Sequence, residues 1–364
     1  MRRIAAGFAL TIGAACVGRG PQVITPVRVD TVRTIAAPPV VTVTRPVSTT
    51  ADDPFHRVDR MEWPGPSRYR DASGAPGPDY WQQRADYTIS ATLDTAARTV
   101  RGTVSIRYTN NSPDTLRFVW LQLDQNLYRP GSKGAAMFPA ESRWGVRGFQ
   151  GGYVITGLQV NGRGATGKTD DTMMRVDLDA PLAPRGGTAS IGMQYSFAVP
   201  EHGSDRMGRD SALYEIAQWY PRVAVYDDVR GWNTDPYLGQ GEFYLEYGDI
   251  DYAVTAPAGY VVAGSGTLQN RAEVLAPAQR ERLDRAAASS SVVPIISADE
   301  AAAAKQRVIA GTKTWRFHAE DVRDVAWAAA PPPEGPAHPG QPLAHSPCRT
   351  QLAGCLCHPS LCHP

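Results

Sequence analysis

Residues 87–124 read YTISATLDTAARTVRGTVSIRYTNNSPDTLRFVWLQLD. Val100, Gly102, Val104, Ile106 and Tyr108 alternate with more polar neighbours, and a period of two puts one set of side chains on one face of a strand. The spacing predicts strands over Tyr87–Asp94, Thr99–Asn110 and Thr115–Asp124. DTAAR and NNSPD between them are turn material, because Asn, Asp and Ser bond their own backbone and Pro presets φ. Working outward, the same pattern predicts strands at Val154–Val160, Met173–Leu178, Thr188–Phe197, Glu242–Thr255 and Tyr260–Gln269. Strand character resumes at TKTWRFHAEDV, from Thr312. Many short strands joined by Gly, Asn, Asp and Pro turns imply an all-β fold, an antiparallel β-sandwich or saddle. Helix is expected only as a short insertion at 277–307. There Pro277 suits a first helical position, and Ser297 with Glu300 forms a capping box.

The flanks differ from this body. Arg2 and Arg3 precede an apolar run from Ile4 to Ala15, with Gly13 and Ala15 as small residues before Cys16. That pattern predicts a signal peptide over 1–16, export to a periplasmic or extracellular site, and Cys16 as a lipidation site. Gly13 stands where a lipoprotein signal usually has Leu. Residues 17–78 are rich in Pro, Thr, Val and Arg and are expected to be a disordered tether, since Pro withholds a donor and favours extended chain. The folded body is expected over 79–329. Residues 330–364 carry four of the five Cys, and with Pro every few positions they are expected to be disordered and non-native.

Charge narrows the partners. With 37 basic and 36 acidic side chains, the chain has no electrostatic reason to bind nucleic acid. A membrane is expected only through the lipid on Cys16.

Several motifs match chemistry without its context. Gly162–Thr169 reads GRGATGKT, a literal phosphate-binding loop, but that chemistry needs a helix beginning at Lys168. The residues that follow alternate through Met174, Val176 and Leu178, so a hairpin loop is expected. Cys355, Cys357, His358, Cys362 and His363 lack the paired spacing of a structural zinc site. Ser265 lies in Gly264-Ser265-Gly266, which is no nucleophile elbow. Glu201, His202 and His318 read as solvated or satisfied side chains. Asp227 and Asp228, with Arg222 and Arg230 nearby, read as loop-fixing charges rather than an acid–base pair. No catalytic or metal-binding residue is therefore expected in the chain.

Residues 214–252 (YEIAQWYPRVAVYDDVRGWNTDPYLGQGEFYLEYGDIDY) hold ten aromatic residues. Such a block brings large apolar area together with hydroxyl and indole groups that need partners when buried. Four stretches then point to a family: LRFVWLQLDQNLYR (116–129), AQWYPRVAVYDD (217–228), FYLEYGDIDYAVTAPAGYVVAGSGTL (243–268) and WRFHAEDVRDVAWAA (315–329). In their order and spacing the chain resembles the amino-terminal domain of the aminopeptidase N family of zinc metallopeptidases. The resemblance covers about residues 80–329, with 277–307 as an insertion. It implies a saddle of β-sheet that closes part of a peptide-substrate cleft. It also implies a Gln that holds the substrate's free amino end, a position matched by Gln218. Tyr220 departs from the family's acidic or amide residue two positions on. GQGEF at 239–243 is not the family's GAMEN strand.

In that family zinc is held by two His of HExxH and a downstream Glu, and the motif Glu activates water. The chain lacks HExxH. The resemblance therefore implies a non-catalytic domain whose catalytic partner is missing, in a truncated product with no cofactor of its own. The other reading is a stand-alone exported β-sandwich that binds carbohydrate or a protein partner through its aromatic block.

Overall fold

The computed structural model describes residues 65–137, 148–201, 206–239, 244–307, 309–332 and 344–345. Cys16, the signal, most of the proposed tether, His202, residues 240–243 of GQGEF and the Cys-rich tail lie outside the described residues.

Period-two alternation does what it predicts. The Thr99–Asn110 strand buries Val100, Val104, Ile106 and Tyr108 on one face and shows its polar residues on the other. It pairs antiparallel with Arg84–Asp94 on one side and with Gly187–Ala198 on the other. Eight strands form the main sheet, in the order Thr267–Leu268, Thr312–Val322, Gly248–Pro257, Arg84–Asp94, Thr99–Asn110, Gly187–Ala198, Val154–Val160, Arg163–Gly164. Its inner face carries Ile89, Ile106, Ile191, Tyr195, Tyr252, Val254 and Phe317.

Two four-stranded sheets share the core with that face. One runs Arg222–Val223, Leu116–Gln122, Met173–Leu182, Gly167–Asp170 and contributes Val119, Leu121 and Val176. The other runs Val261–Gly264, Trp327–Ala330, Leu213–Ile216, Met207–Asp210 and contributes Ile216, Val262 and Trp327. The all-β sandwich architecture is thus the one the alternation implies.

Three local features depart from the sequence expectation. Arg84–Asp94 and Gly248–Pro257 pair in parallel, with Ile89 opposite Tyr252, so the main sheet is mixed. A Cβ at Gly248 would sit 1.8 Å from the Ala85 carbonyl oxygen, so only glycine lets the two strands meet there. The strand expected to reach Asp124 ends at Gln122 and turns into a 3-10 helix, Asp124–Tyr128. Helix also appears outside 277–307, at Lys133–Met137 and Arg271–Val274. Within 277–307, Pro277–Ala287 starts at its proline, and Ala298–Lys305 carries the Ser297/Glu300 capping box. Among the described residues no helix is long and apolar enough to cross a membrane.

Candidate functional site

The aromatic block folds inward. Trp219 and Tyr220 are fully buried; the Trp219 ring meets Tyr220, Tyr252 and Trp327 edge-on at 5.1, 5.8 and 6.0 Å between centroids. Its indole Nε1–H donates to the Val325 carbonyl at 2.9 Å. A polar seam runs beside these rings. The Arg222 guanidinium donates to Asp124 Oδ2 and to Asp324 Oδ2, each at 2.6 Å, and the Tyr220 hydroxyl donates to Asp324 Oδ1 at 2.8 Å. Arg222 and Asp124 have side chains 1% and 2% exposed, whereas Asp324 is 24% exposed. Burial raises the Asp124 carboxyl above its usual range and the guanidinium pulls it back. Burial opposes the charge on Arg222, but Asp124 and Asp324 outweigh it and hold the guanidinium protonated.

Gln218 lies at the end of the seam. It is 3% exposed and holds φ at +53°, a left-handed backbone rare for a residue with a Cβ. Its carbonyl oxygen accepts two hydrogen bonds, from Gln125 Nε2 at 2.9 Å and from the Tyr153 hydroxyl at 3.0 Å. Among the described residues, Gln218 Nε2 and Gln125 Oε1 are buried with no hydrogen-bond partner. A buried amide group left unpaired costs about 1–3 kcal/mol, and native proteins seldom tolerate one. Gln218 is one of eight non-glycine residues with positive φ among the described residues. Nothing in the local sequence foretold the strain, because Gln has no preference for that conformation.

The other candidates disperse. Arg222 does not join Asp227 and Asp228. Asp228 takes three hydrogen bonds of 2.8–3.1 Å from Arg70, which lies in the stretch expected as a tether. Asp227 accepts from the Val229 and Arg230 backbone N–H groups and from the Tyr244 hydroxyl, which fixes its loop. His318 Nδ1 lies 2.7 Å from Asp251 Oδ1, and Nε2 lies 3.4 Å from Glu320. Its strand lies beside the edge strand Thr267–Leu268, with Thr267 opposite His318, and pairs with Gly248–Pro257 on its other side. Glu201 bonds Arg209 at 2.9 Å. Ser265 exchanges hydrogen bonds with Ala326, so its hydroxyl serves a loop. Among the described residues no group of three or more His, Cys, Asp or Glu is placed to hold a metal ion.

Lys168 is 80% exposed, sits in the Gly167–Asp170 strand opposite Arg175, and among the described residues pairs with Asp177 at 3.8 Å. A strand at this point presents no helix N-terminus to a phosphate. Lys168→Ala is expected to change stability by no more than about 0.5 kcal/mol in urea denaturation. Titration calorimetry with ATP is expected to give no binding heat before or after the substitution.

Sequence reasoning singled out Gln218 but missed Gln125, Tyr153, Asp124 and Asp324, whose roles appear only when distant strands meet. No family model matches the chain, and no curated protein does. Solved structures similar to it include the M1 zinc metallopeptidase of Deinococcus radiodurans, at 13% identity and a TM-score of 0.37, over 70% of this chain and 43% of that one. A variant of that enzyme bound to a Tyr-Ser-Ala substrate gives 13% identity and a TM-score of 0.38, over 68% of this chain and 42% of that one. The chain spans less than half the length of these metallopeptidases.

Proposed function

We propose that the β body is the non-catalytic substrate-cleft domain of a zinc aminopeptidase of the aminopeptidase N type. Gln218 is the residue that meets the peptide's free amino end. The hydrolytic chemistry, and the zinc it needs, belong to a metal-bearing domain that the body roofs, so the body alone does not cleave peptides. Export and an acylated Cys16 belong to the same reading and rest on Arg2, Arg3 and the apolar run before that cysteine.

One observation carries the reading: the stretches behind the sequence resemblance, separated by up to about two hundred residues, close on the segment that bears Gln218. Asp124 comes from the first, Arg222 and Gln218 from the second, Tyr252 from the third and Asp324 from the last. Gln218 is buried, so a peptide reaches it only through an opened state, and affinity is reduced by the fraction of molecules that are open.

The test uses the full chain, an unblocked tripeptide and its N-acetylated form. The unblocked peptide is expected to bind about tenfold more tightly, a difference of about 1.4 kcal/mol, and Gln218→Ala is expected to abolish the preference. Equal binding of the two peptides, or release of an amino-terminal residue by the chain with added zinc, overturns the reading.

A further inference from the structure

Two buried side chains clamp the Gln218 carbonyl. A backbone carbonyl oxygen has two lone pairs, and both are used here, by side chains 93 and 65 residues away in sequence. Each donor is itself anchored. Gln125 lies in the 3-10 helix Asp124–Tyr128, where Asp124 is tied to Arg222. The Tyr153 ring packs edge-on against Tyr195 and Phe197, at 5.8 and 5.6 Å between centroids, and its backbone N–H donates to Asn126 Oδ1 at 3.0 Å. The chain is also pinned on either side of residue 218. Ala217 N–H donates to the Arg206 carbonyl at 3.2 Å, and Trp219 is locked by its indole bond to Val325. Gln218 therefore has little choice of conformation, and the one it holds is left-handed.

We propose that Gln125 and Tyr153 are positioning residues whose paired hydrogen bonds to the Gln218 carbonyl hold that residue in its left-handed conformation and so aim its side-chain amide. The proposal deepens the reading of Gln218 as the contact for a peptide's amino end and rests on it. Strain is stored where surrounding structure over-determines a residue, and two buried donors on one oxygen do that here. Gln125 spends only its Nε2 on the clamp; its Oε1 stays unpartnered, as does Gln218 Nε2.

Two measurements test it separately. The first is a stability cycle that needs no ligand. At a position with φ near +53° glycine carries no Cβ penalty, so Gln218→Gly is expected to fold better than Gln218→Ala, by roughly fivefold in the folding equilibrium constant. If the clamp enforces the strain, this advantage shrinks to about twofold or less when Tyr153→Phe and Gln125→Met are present together. Both substitutions roughly keep volume and remove the two donors, and each is also measured singly, which separates the loss of the unpartnered Gln125 Oε1 from the loss of the clamp. An undiminished advantage of glycine overturns the clamp.

The second measurement is preference for the unblocked over the acetylated tripeptide. Tyr153→Phe with Gln125→Met is expected to lose it while unfolding stays cooperative. If the unaltered chain prefers the unblocked peptide and the clamp variants keep that preference in full, positioning is refuted and the reading of Gln218 survives. If the unaltered chain shows no preference, the reading of Gln218 fails, and the stability cycle still decides the clamp.

Discussion

Arg222→Ala is expected to destabilise the folded body by about 3–5 kcal/mol, read as a lower urea midpoint with an unchanged slope. Three terms combine. The guanidinium is buried, so its packing against the seam is lost. Asp124 is left with a carboxylate 2% exposed and no countercharge, a state that costs far more than the ion pair ever gained. Asp324, at 24% exposed, recovers part of its loss through water. The asymmetry gives a second arm to the experiment. Replacing both ends, as in Arg222→Met with Asp124→Leu, removes the uncompensated charge and is expected to restore more than half of the loss. A drop below about 1 kcal/mol for Arg222→Ala would mean that water, not Arg222, satisfies Asp124.

The same cluster shows what a linear sequence reveals and what it hides. Strand identity is a local property. Thr99–Asn110, Gly187–Ala198 and Thr312–Val322 were legible because alternation of apolar and polar residues survives wherever one face is buried. Helix starts were legible at Pro277 and Ser297 because a proline or a capping box is a local chemical need. Pairing is not local. Nothing within Arg84–Asp94 states that its second neighbour is Gly248–Pro257, or that the two run parallel; Gly248 hints only at a close backbone approach.

Charge partners were hidden for the same reason. Arg222 looked like a neighbour of Asp227 and Asp228, yet its partners lie 98 and 102 residues away and Asp228 belongs to Arg70. The end of the Leu116–Gln122 strand was misread because LQLD continues the alternation. In the fold, Asp124 is drawn inward by Arg222, and the chain curls to deliver it. Gln218 is singled out by resemblance alone; its left-handed backbone and unpartnered amide are properties of the assembled seam.

Glu246 provides the second large effect, and it is a pH effect. Its carboxyl is 8% exposed, and burial pushes its pKa from an ordinary 4.5 to about 8, while a hydrogen bond from the Tyr226 backbone pulls it down and Asp227 adds repulsion. Among the described residues no basic side chain forms an ion pair with it. A carboxyl whose folded pKa lies above its unfolded value binds its proton more tightly in the folded state. Stability from this group is complete below about pH 4.5 and is lost as pH rises through about 8, by up to ~1.4 kcal/mol per pH unit. The decline across the window is on the order of a few kcal/mol, so the body is expected to be markedly less stable at pH 8 than at pH 5. Glu246→Gln keeps shape and polarity without a proton to lose, so its curve is expected to be flatter across the window. His318, raised above 6.5 first by its hydrogen bond to Asp251, and Asp124, raised by burial, add declines of the same sign. Both remain in the variant and cancel in the difference. Urea midpoints at half-unit steps from pH 4.5 to 8.5, taken for the chain with and without Glu246→Gln, isolate the contribution. Parallel curves would mean that Glu246 ionises in the folded protein as it does in water.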